Sequence, residues 1–439
     1  MSILRGLLCS VAIIVVAGCA QKNPNEAIFR KAASGLPAAQ AEATRAGLDY
    51  KVAHLDRHVP VSENASFHYR RADEVFNRAH LLREEIAVIK HDAFFLPEGR
   101  KFLKDSAPSL DEIDKGCALP HCDFQGALAK NGSAESLQLS TFNDDYKLLM
   151  TRAMVEAHDR DYGAASNDFG RLAKLVKHLM EEPAFMNASF AQALIYAAHG
   201  YAEMIMKDAH GDPACAKALR EGMSKFPVRL NLQAVVQNEA SHEYEMYSPL
   251  NPSALDKALY ESLRGNPMFG DRREEWDKLQ NSISTLDRRV VMNAFRDRSL
   301  QFHTALYEAA SCPSITDTER IDKIQSQAAQ EGSLDLSHTL NVFDAPWIFS
   351  RSVFLGYEAY REVTLAGLDH LANPGGLGVD ASAKHLDPFT GQPLHFLKKQ
   401  GGFIVYSLGS KFEFAKDQTN PANDISFEYP PASKSRRQP

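Results

Sequence analysis

The chain lacks the short signatures that identify many enzymes from sequence. It contains no G-x-S-x-G nucleophile elbow, no P-loop, no Rossmann glycine fingerprint and no H-E-x-x-H zinc motif. It also lacks a basic stripe interleaved with aromatic residues, and its formal net charge is −7 over 439 residues. Nucleic acid is therefore not an expected partner. The sequence indicates no particular reaction, and we expect no cofactor or metal.

Long apolar runs are also missing, since no apolar stretch after Cys19 is long enough to span a bilayer. The marked run from Leu7 to Val16 follows Arg5, and its length is that of a signal-peptide core. It ends in V-A-G-C. This order of charge, apolar core and small residues before a cysteine resembles the lipobox of bacterial lipoproteins. The resemblance implies a signal peptide cleaved after Gly18 and a lipid that includes palmitate on Cys19.

The lipobox resemblance also predicts a location. Several acyl chains on Cys19 would give a durable anchor, because each buried methylene contributes about 0.8 kcal/mol. Ala20, and not Asp, follows the cysteine, which by analogy with lipoprotein sorting favours the outer membrane. We therefore expect a lipid-anchored envelope protein on the periplasmic face of the outer membrane. A plain secretory signal, or a membrane anchor that happens to contain a cysteine, is the alternative.

Cysteine is scarce, with six in the whole chain. Cys117 and Cys122 flank a proline in C-A-L-P-H-C, which favours a local disulfide in an oxidising compartment. Closing so short a ring would stabilise the fold by about 2 kcal/mol through the unfolded chain. Two thiols, or a metal site that includes His121, are the alternatives. The sequence leaves open whether Cys215 pairs with Cys312.

Apolar periodicity predicts a mainly helical protein. The clearest signal is a hairpin, with one amphipathic helix from Tyr146 to Ala157, a break at D-R-D-Y-G and a return helix from Ala165 to Leu179. The spacing of Ala153, Ala165 and Phe169 resembles a tetratricopeptide unit, although no second copy follows at a period of about 34 residues. The resemblance implies stacked helix pairs. A less regular stretch is expected from Pro97 to Asn143.

The C-terminal part is predicted to be β. Residues in L-H-F-L and F-I-V-Y-S-L alternate around a Gly-Gly turn, and D-I-S-F-E-Y could add a third strand. The expected fold is mainly α, with stacked helical hairpins of α-solenoid type and a small C-terminal antiparallel β module. The expected segments are a signal peptide in 1–18, a flexible alanine-rich tether in 19–45, a helical body in 46–373, the β module in 374–430 and a disordered tail in 431–439.

Three blocks of sequence carry a wider resemblance. These are C-D-F-Q-G-A-L-A, the segment L-A-K-L-V-K-H-L-M-E-E-P, and D-P-F-T-G-Q-P-L-H-F-L-K-K-Q-G-G-F-I-V-Y-S-L-G. Together they resemble an uncharacterised family of bacterial envelope proteins, which implies a helical body and a β end but no activity. The last block is also similar to the tails of type II secretion pseudopilins, where a calcium loop follows. Here Asp417 and Asp424 remain as candidate ligands, beside two lysines.

Several polar side chains are candidates for chemistry. An E-x-x-H pair, as in di-iron bundles, would need a second copy, which the sequence does not supply. Two adjacent carboxylates at a predicted helix C-terminus are poorly placed for anions, which suggests a structural partner such as an exposed amide or an arginine. The candidate side chains are His54, His58, Glu181, Glu182, Glu239 and His242.

The leading functional hypothesis is a lipid-anchored envelope protein that binds or scaffolds another envelope protein and is not an enzyme. Stacked helix pairs form extended grooves, and a lipid anchor supplies position and no chemistry. One alternative is a hydrolase-like envelope enzyme with carboxylates in a helical groove, whose acid–base residues are among Glu181, Glu182, Glu239 and His242. The other is an accessory component of a secretion system.

Overall fold

The described part of the chain is mainly helical, with a small three-stranded antiparallel sheet near the C-terminus, which confirms the predicted fold class. No described helix is long and apolar enough to cross a membrane. The computed structural model describes residues 26–51, 59–78, 89–90, 93–94, 96–124, 137–248, 286–310, 350–373, 384–408 and 425–430.

The described elements are eleven α-helices, five strands and one 3-10 turn at Val61–Glu63. The helices are α1 (Glu26–Ala46), α2 (Ser66–Arg78), α3 (Leu96–Asp105), α4 (Ala107–Ala118), α5 (Leu137–His158), α6 (Tyr162–Leu179), α7 (Phe185–Asp208), α8 (Pro213–Ser224), α9 (Leu232–Met246), α10 (Arg288–Ala310) and α11 (Ser350–Ala372). The strands are β1 (Ile89–Lys90), β2 (Ala93–Phe94), β3 (His395–Lys399), β4 (Gly402–Ser407) and β5 (Ile425–Tyr429).

The chain divides into two compact units, and one of the division points falls within α9. In its described part, unit 1 contains α1, the end of α9 and most of α10. The Phe29 ring meets the edge of Phe295 at 6.3 Å, and Tyr247 stacks on Phe295 at 5.2 Å. A second apolar cluster of unit 1 contains Leu36, Ala39, Ala43, Leu48, Tyr50, Ala240 and Leu300.

Helix α1 corrects the prediction of a flexible tether in 19–45. Residues 26–45 belong to a helix whose Phe29 and Ala43 are fully buried. The apolar positions Phe29, Leu36, Ala39 and Ala43 recur at steps of seven, three and four, so they share one helical face. That face completes the core of unit 1, which explains why so alanine-rich a segment is ordered.

The predicted hairpin is confirmed as α5 and α6, two packed helices of unit 2. Ala153, Ala165 and Phe169 are fully buried, as the spacing predicts. Asp161 begins α6 as its N-cap, with its carboxylate accepting the Ala164 amide at 3.1 Å. Helix α6 in turn packs on α8, where a Cβ on Gly222 would lie only 2.5 Å from the Ser166 carbonyl oxygen. Glycine there permits the close approach.

The stretch predicted to be irregular from Pro97 contains two further helices, α3 and α4. Pro97 and Pro108 lie in the first turn of each helix, where a proline removes no intrahelical hydrogen bond. Phe102 and Ile113 are their buried anchors. Helix α4 packs mainly on α2, and also contacts α5 and α6.

The β module is an antiparallel sheet with strand order β3-β4-β5. Phe396 faces Val405 across the first pair, and Val405 faces Phe427 across the second. Strands β4 and β5 pack on α11, where a Cβ on Gly367 would overlap the Phe427 ring. The bare surface of that glycine lets the sheet lie directly on the helix.

Asp387 organises the D-P-F-T-G turn that leads into the sheet. Its side chain is fully buried, and it accepts hydrogen bonds from the Phe389 amide at 2.9 Å, the Ser407 hydroxyl at 2.9 Å and the Leu408 amide at 3.1 Å. Gly391 closes the turn with a φ of 68°. The conspicuous Asp-Pro block is therefore a structural device that joins the turn to the end of β4.

A second set of charges fastens this turn to α11, and we name it the His385 clasp. His385 Nδ1 lies 2.8 Å from Glu362 and its Nε2 lies 3.1 Å from Asp369. Arg361 also pairs with Glu362, and Arg220 with Asp369. The clasp comprises these five residues, and each of them has a partner of opposite charge.

The clasp shifts the acid–base behaviour of its members. Burial alone would lower the pKa of His385, but its hydrogen bonds to Asp369 and Glu362 outweigh burial and raise the pKa to about 9. Burial would raise the pKa of both carboxyls, yet hydrogen bonds from His385 and the arginines lower it in each case. His385 is consequently a cation at neutral pH, held between two anions.

Candidate functional site

A stripe of polar and basic residues runs along one face of α6. Asn167, Gly170, Lys174 and Lys177 follow one another at steps of three and four, and therefore share that face. Together with Arg171, Lys225 and Cys117 they line a shallow depression with a volume of about 360 Å³. We name this surface, which lies within unit 2, the basic depression.

Lys225 reaches the depression from beyond the end of α8, because α6 has a glycine beneath it. A Cβ built on Gly170 would lie 2.9 Å from Lys225 Cδ and 3.2 Å from its Nζ. Any larger residue at 170 would therefore displace the lysine side chain. The Gly170 position allows an ammonium group from one element to join the lysines of another.

Arg171 forms the neutralised edge of the depression. Its Nε lies 2.8 Å from Asp114, and its Nη1 donates to Asp168 at 2.7 Å. Arg152 binds the same two carboxylates, with Nη2 at 2.8 Å from Asp114 and 2.6 Å from Asp168. Two arginines and two carboxylates thus form a closed network between α4, α5 and α6.

The three lysines of the depression differ from this network. Lys174 Nζ donates to the Pro120 carbonyl at 3.0 Å. Among the described residues, no carboxylate pairs with Lys174, Lys177 or Lys225. Three ammonium groups therefore gather around one depression without a carboxylate partner among the described residues, in a chain of net negative charge.

Beside the depression lies a hydrogen-bonded chain of buried side chains. His178 Nε2 lies 3.2 Å from the Leu119 carbonyl, which accepts and never donates, so Nε2 carries the proton. The Tyr69 hydroxyl, 2.7 Å from His178 Nδ1, then donates to that unprotonated nitrogen. Cys117 Sγ lies 3.7 Å from the Tyr69 hydroxyl and 3.8 Å from the Arg171 carbonyl.

This chain is uncharged at neutral pH. Burial, followed by the positive charge of Lys174, lowers the pKa of His178 to about 4. Burial raises the pKa of the Cys117 thiol to about 12. A protonated thiol is a poor nucleophile and a neutral buried imidazole is a weak base at pH 7. The chemistry available at the depression is therefore electrostatic binding by the lysines.

The two carboxylates of the E-E-P segment bind backbone amides. Glu181 accepts the Cys122 amide at 3.2 Å, and Glu182 accepts the Phe124 amide at 3.0 Å. The Asn187 side chain donates to the Glu182 carbonyl at 2.6 Å. The structural partner expected from an unfavourable helix end is thus a backbone amide, and both side chains hold the segment after α4 against the end of α6.

Glu239 and His242 lie on α9. The Glu239 carboxylate accepts the amide of Phe185 at 2.8 Å, which satisfies the first residue of α7. Within the described residues, no group of three or more His, Cys, Asp or Glu side chains is arranged as a metal site. In the described contacts, Glu239 accepts an amide at the start of α7, in the same way that Glu181 and Glu182 accept amides of the segment after α4.

The structure has Cys117 and Cys122 as thiols, without the predicted disulfide between them. Cys117 near the end of α4 directs its sulfur toward Tyr69 and the Arg171 carbonyl. Cys122 is fully buried, and its amide is bound by Glu181. The proline between the two cysteines therefore separates two differently anchored side chains.

Some predicted sites lie outside the described residues. These include the signal peptide in 1–18, the tail in 431–439, and the side chains of Cys19, His54, His58, Cys312, Asp417 and Asp424.

Sequence reasoning missed the lysine stripe on α6. Lys174 and Lys177 are visible in L-A-K-L-V-K-H-L, three positions apart within a predicted helix. Attention to the polar face of the hairpin would have found them. Nothing local predicts the arrival of Lys225, which depends on the packing of α8 on α6.

No family model matches the chain, and none of the curated proteins or solved structures matches it either.

Proposed function

We propose that the protein is a lipid-anchored component of the bacterial cell envelope that acts as a binding or scaffolding module and not as an enzyme. The observation that carries this proposal is the basic depression, where three lysines surround one surface without a carboxylate partner among the described residues. Ammonium groups that no carboxylate of the described residues neutralises are available to a ligand.

The helical framework suits a binding role. Asn167, Lys174 and Lys177 project from one rigid helix, so their relative positions are fixed before a ligand arrives. Preorganisation of this kind lowers the entropic cost of association. In the proposal, the lipid on Cys19 holds this surface close to the membrane, where the partner is concentrated.

The carboxylates considered for an enzyme support the binding proposal indirectly. Glu181, Glu182 and Glu239 accept backbone amides of neighbouring segments. A general acid needs a carboxyl directed at substrate with a pKa raised toward the working pH. None of the described contacts directs these three side chains at an open site, so no specific observation favours the hydrolase alternative.

Site-specific photo-crosslinking in intact cells tests the binding proposal. A photo-reactive residue at position 167 or 177, on the depression, should give one discrete crosslinked product with an envelope protein. The same residue at exposed position 104 or 207 serves as a matched control and should not give that product. Equal products at all four positions, or none at 167 and 177, would contradict the proposal.

Lipid anchoring has its own test. Labelled palmitate should enter the wild-type protein and should not enter a Cys19→Ala variant, and the variant should leave the membrane fraction. Equal labelling of both proteins would show that Cys19 is not the lipidated residue. Since this test does not involve the depression, the two parts of the proposal stand or fall separately.

A further inference from the structure

We propose that the ligand of the basic depression is a phosphate-type anion of at least two negative charges and about the size of pyrophosphate. This inference deepens the proposed binding function and rests on the same surface. It names the chemistry that the depression recognises.

The charge of the depression favours a multiply charged anion. Lys174 and Lys177 lie three positions apart on α6, where like charges destabilise a helix. Lys225 adds a third ammonium group from another element. Since no carboxylate among the described residues pairs with these three, an external anion would remove the repulsion. A singly charged anion would leave most of the positive charge uncompensated, so a multiply charged group fits better.

The hydrogen-bond donors of the depression also suit phosphate oxygens. Arg171 uses Nε and Nη1 for Asp114 and Asp168, so its Nη2 remains without a partner among the described residues. The Asn167 amide likewise has no partner in the described part of the chain and is exposed. These N–H groups lie on the same helical face as the lysines. Ammonium groups together with an arginine edge are the donors that phosphate oxygens prefer.

The shape of the depression also favours a compact anion. The depression is shallow, with a volume of about 360 Å³. Gly170 has no side chain, and the side chain of Lys225 packs against it, with Nζ 3.2 Å from where a Cβ would stand. The ammonium group of Lys225 is therefore held at the surface of α6, where a compact anion in the depression can contact it. A depression of this volume fits a compact anion better than a long polyanion, which a chain of net charge −7 would on the whole repel.

Calorimetric titration of the purified full-length chain with inorganic pyrophosphate tests the inference. A triple variant, Lys174→Glu, Lys177→Glu and Lys225→Glu, should lose about tenfold or more in affinity, which corresponds to at least about 1.4 kcal/mol. The matched control replaces three exposed lysines outside the depression, as Lys104→Glu, Lys207→Glu and Lys217→Glu. It changes net charge equally and should change affinity by less than about threefold.

A second variant keeps the test informative if charge reversal damages the fold. Lys174→Gln, Lys177→Gln and Lys225→Gln remove the charges without creating anions, and thermal unfolding followed by circular dichroism shows that the protein is folded. This variant should also lose pyrophosphate affinity. A folded glutamine variant that binds pyrophosphate as tightly as the wild type would overturn the inference. An equal loss of affinity in the control triple variant would also overturn it.

The source of the phosphate group is separated by a second ligand. Soluble dihexanoyl phosphatidic acid, whose phosphomonoester carries up to two negative charges, represents a lipid headgroup, and dihexanoyl phosphatidylcholine is its zwitterionic control. Binding of pyrophosphate alone, lost in the lysine variants, supports a free phosphate compound. Binding of the phosphatidic acid alone, with the same loss, supports a headgroup. No binding of either ligand would refute the inference.

Failure of this inference is distinguishable from failure of the proposed function. If the crosslinked partner appears at positions 167 and 177 while no phosphate compound binds, the module binds a protein by other chemistry. If pyrophosphate binds without any crosslinked partner, the anion site stands and protein scaffolding does not.

Discussion

The His385 clasp and the basic depression lie in the same unit and use the same kinds of side chain to different ends. In the clasp, His385 and two arginines are matched by Glu362 and Asp369, and most of these charges are shielded from solvent. In the depression, three lysines have no carboxylate partner among the described residues. Paired charges hold the β module on α11, whereas the unpaired charges are available for a ligand.

Two buried histidines show the same difference on the scale of a single side chain. His178, which binds the Tyr69 hydroxyl and a carbonyl oxygen, has its pKa lowered to about 4, first by burial and then by nearby Lys174. His385 is also buried, but hydrogen bonds to two carboxylates outweigh burial and raise its pKa to about 9. Burial alone does not set the charge of a histidine, because its partners decide.

The largest expected effect comes from removing Asp387, which ties the turn beside the clasp to the end of β4. Asp387→Ala leaves the buried Phe389 amide, Ser407 hydroxyl and Leu408 amide without their acceptor. We expect a loss of about 4 kcal/mol in the free energy of unfolding, measured by urea denaturation. Asp105→Ala on the exposed surface of α3 is the control, and should change stability by less than about 0.5 kcal/mol.

Pyrophosphate affinity of the Asp387→Ala variant, measured while the protein is folded, should equal that of the wild type. A large loss of affinity would show that the β module and the depression are coupled, and that they are not two independent regions. A loss of stability below about 1 kcal/mol would show that Asp387 is not the organiser of the turn.

The clasp should also make stability depend on pH. The pKa of His385 is about 9 in the folded protein and about 6.5 when unfolded, so the clasp contributes fully below pH 6.5. As pH rises from about 6.5 to 9, the unfolded chain loses this proton first and stability falls. At about 1.4 kcal/mol per pKa unit, the loss approaches roughly 3 kcal/mol.

The measurement is the difference in unfolding free energy between the wild type and a His385→Gln variant across pH 6 to 9.5. The difference is needed because burial raises the pKa of Glu243 and Glu358 to about 7, and these carboxyls titrate in part of the same window. The difference should be largest near pH 6 and shrink with rising pH. A difference that is constant with pH would mean that His385 is not held as a cation.

The smallest stability effect is expected at Gly170, where a substitution should weaken pyrophosphate binding and hardly change stability. Alanine is favoured over glycine within a helix by about 1 kcal/mol, and its Cβ would be closest to the movable side chain of Lys225, with Cδ at 2.9 Å and Nζ at 3.2 Å. Gly170→Ala should therefore leave stability equal or slightly higher. Displacement of Lys225 should at the same time weaken pyrophosphate binding by about threefold, or 0.65 kcal/mol.

Gly200→Ala provides the matched control for this substitution. Gly200 lies inside α7, and a Cβ there would meet nothing within 4 Å. The helix gain should appear without any change in affinity. If Gly170→Ala and Gly200→Ala bind pyrophosphate equally well, Lys225 takes no part in the site.

The helices that could be predicted from sequence are those with a full apolar face of their own. Helices α5 and α6 carry regular buried positions such as Leu149, Ala153 and Phe169, so local periodicity was sufficient. Helix α1 offers few large apolar residues besides Phe29, and its order comes from the packing of that face in unit 1. Long-range packing of this kind leaves a weak trace in the local sequence.

The site was less predictable than the fold for a related reason. The unfavourable position of Glu181 and Glu182 at a helix end correctly suggested structural partners, whereas the spacing of Cys117 and Cys122 suggested a bond that the structure does not have. Spacing along the chain does not reveal where side chains point once α4 packs on α2 and α6. The lysines of α6 and Lys225 meet only after such packing.

The unpaired lysines of the depression are expected to bind a phosphate-type ligand. Nuclear magnetic resonance of lysine side chains carrying ¹³C-methyl labels tests this claim directly. Single Lys→Arg variants assign each signal while keeping the charge. On titration with pyrophosphate, the signals of Lys174, Lys177 and Lys225 should shift together with one dissociation constant. Those of Lys104, Lys207 and Lys217 should stay in place. Small, uniform shifts of all lysine signals would contradict the claim, because they would report only the change in ionic strength.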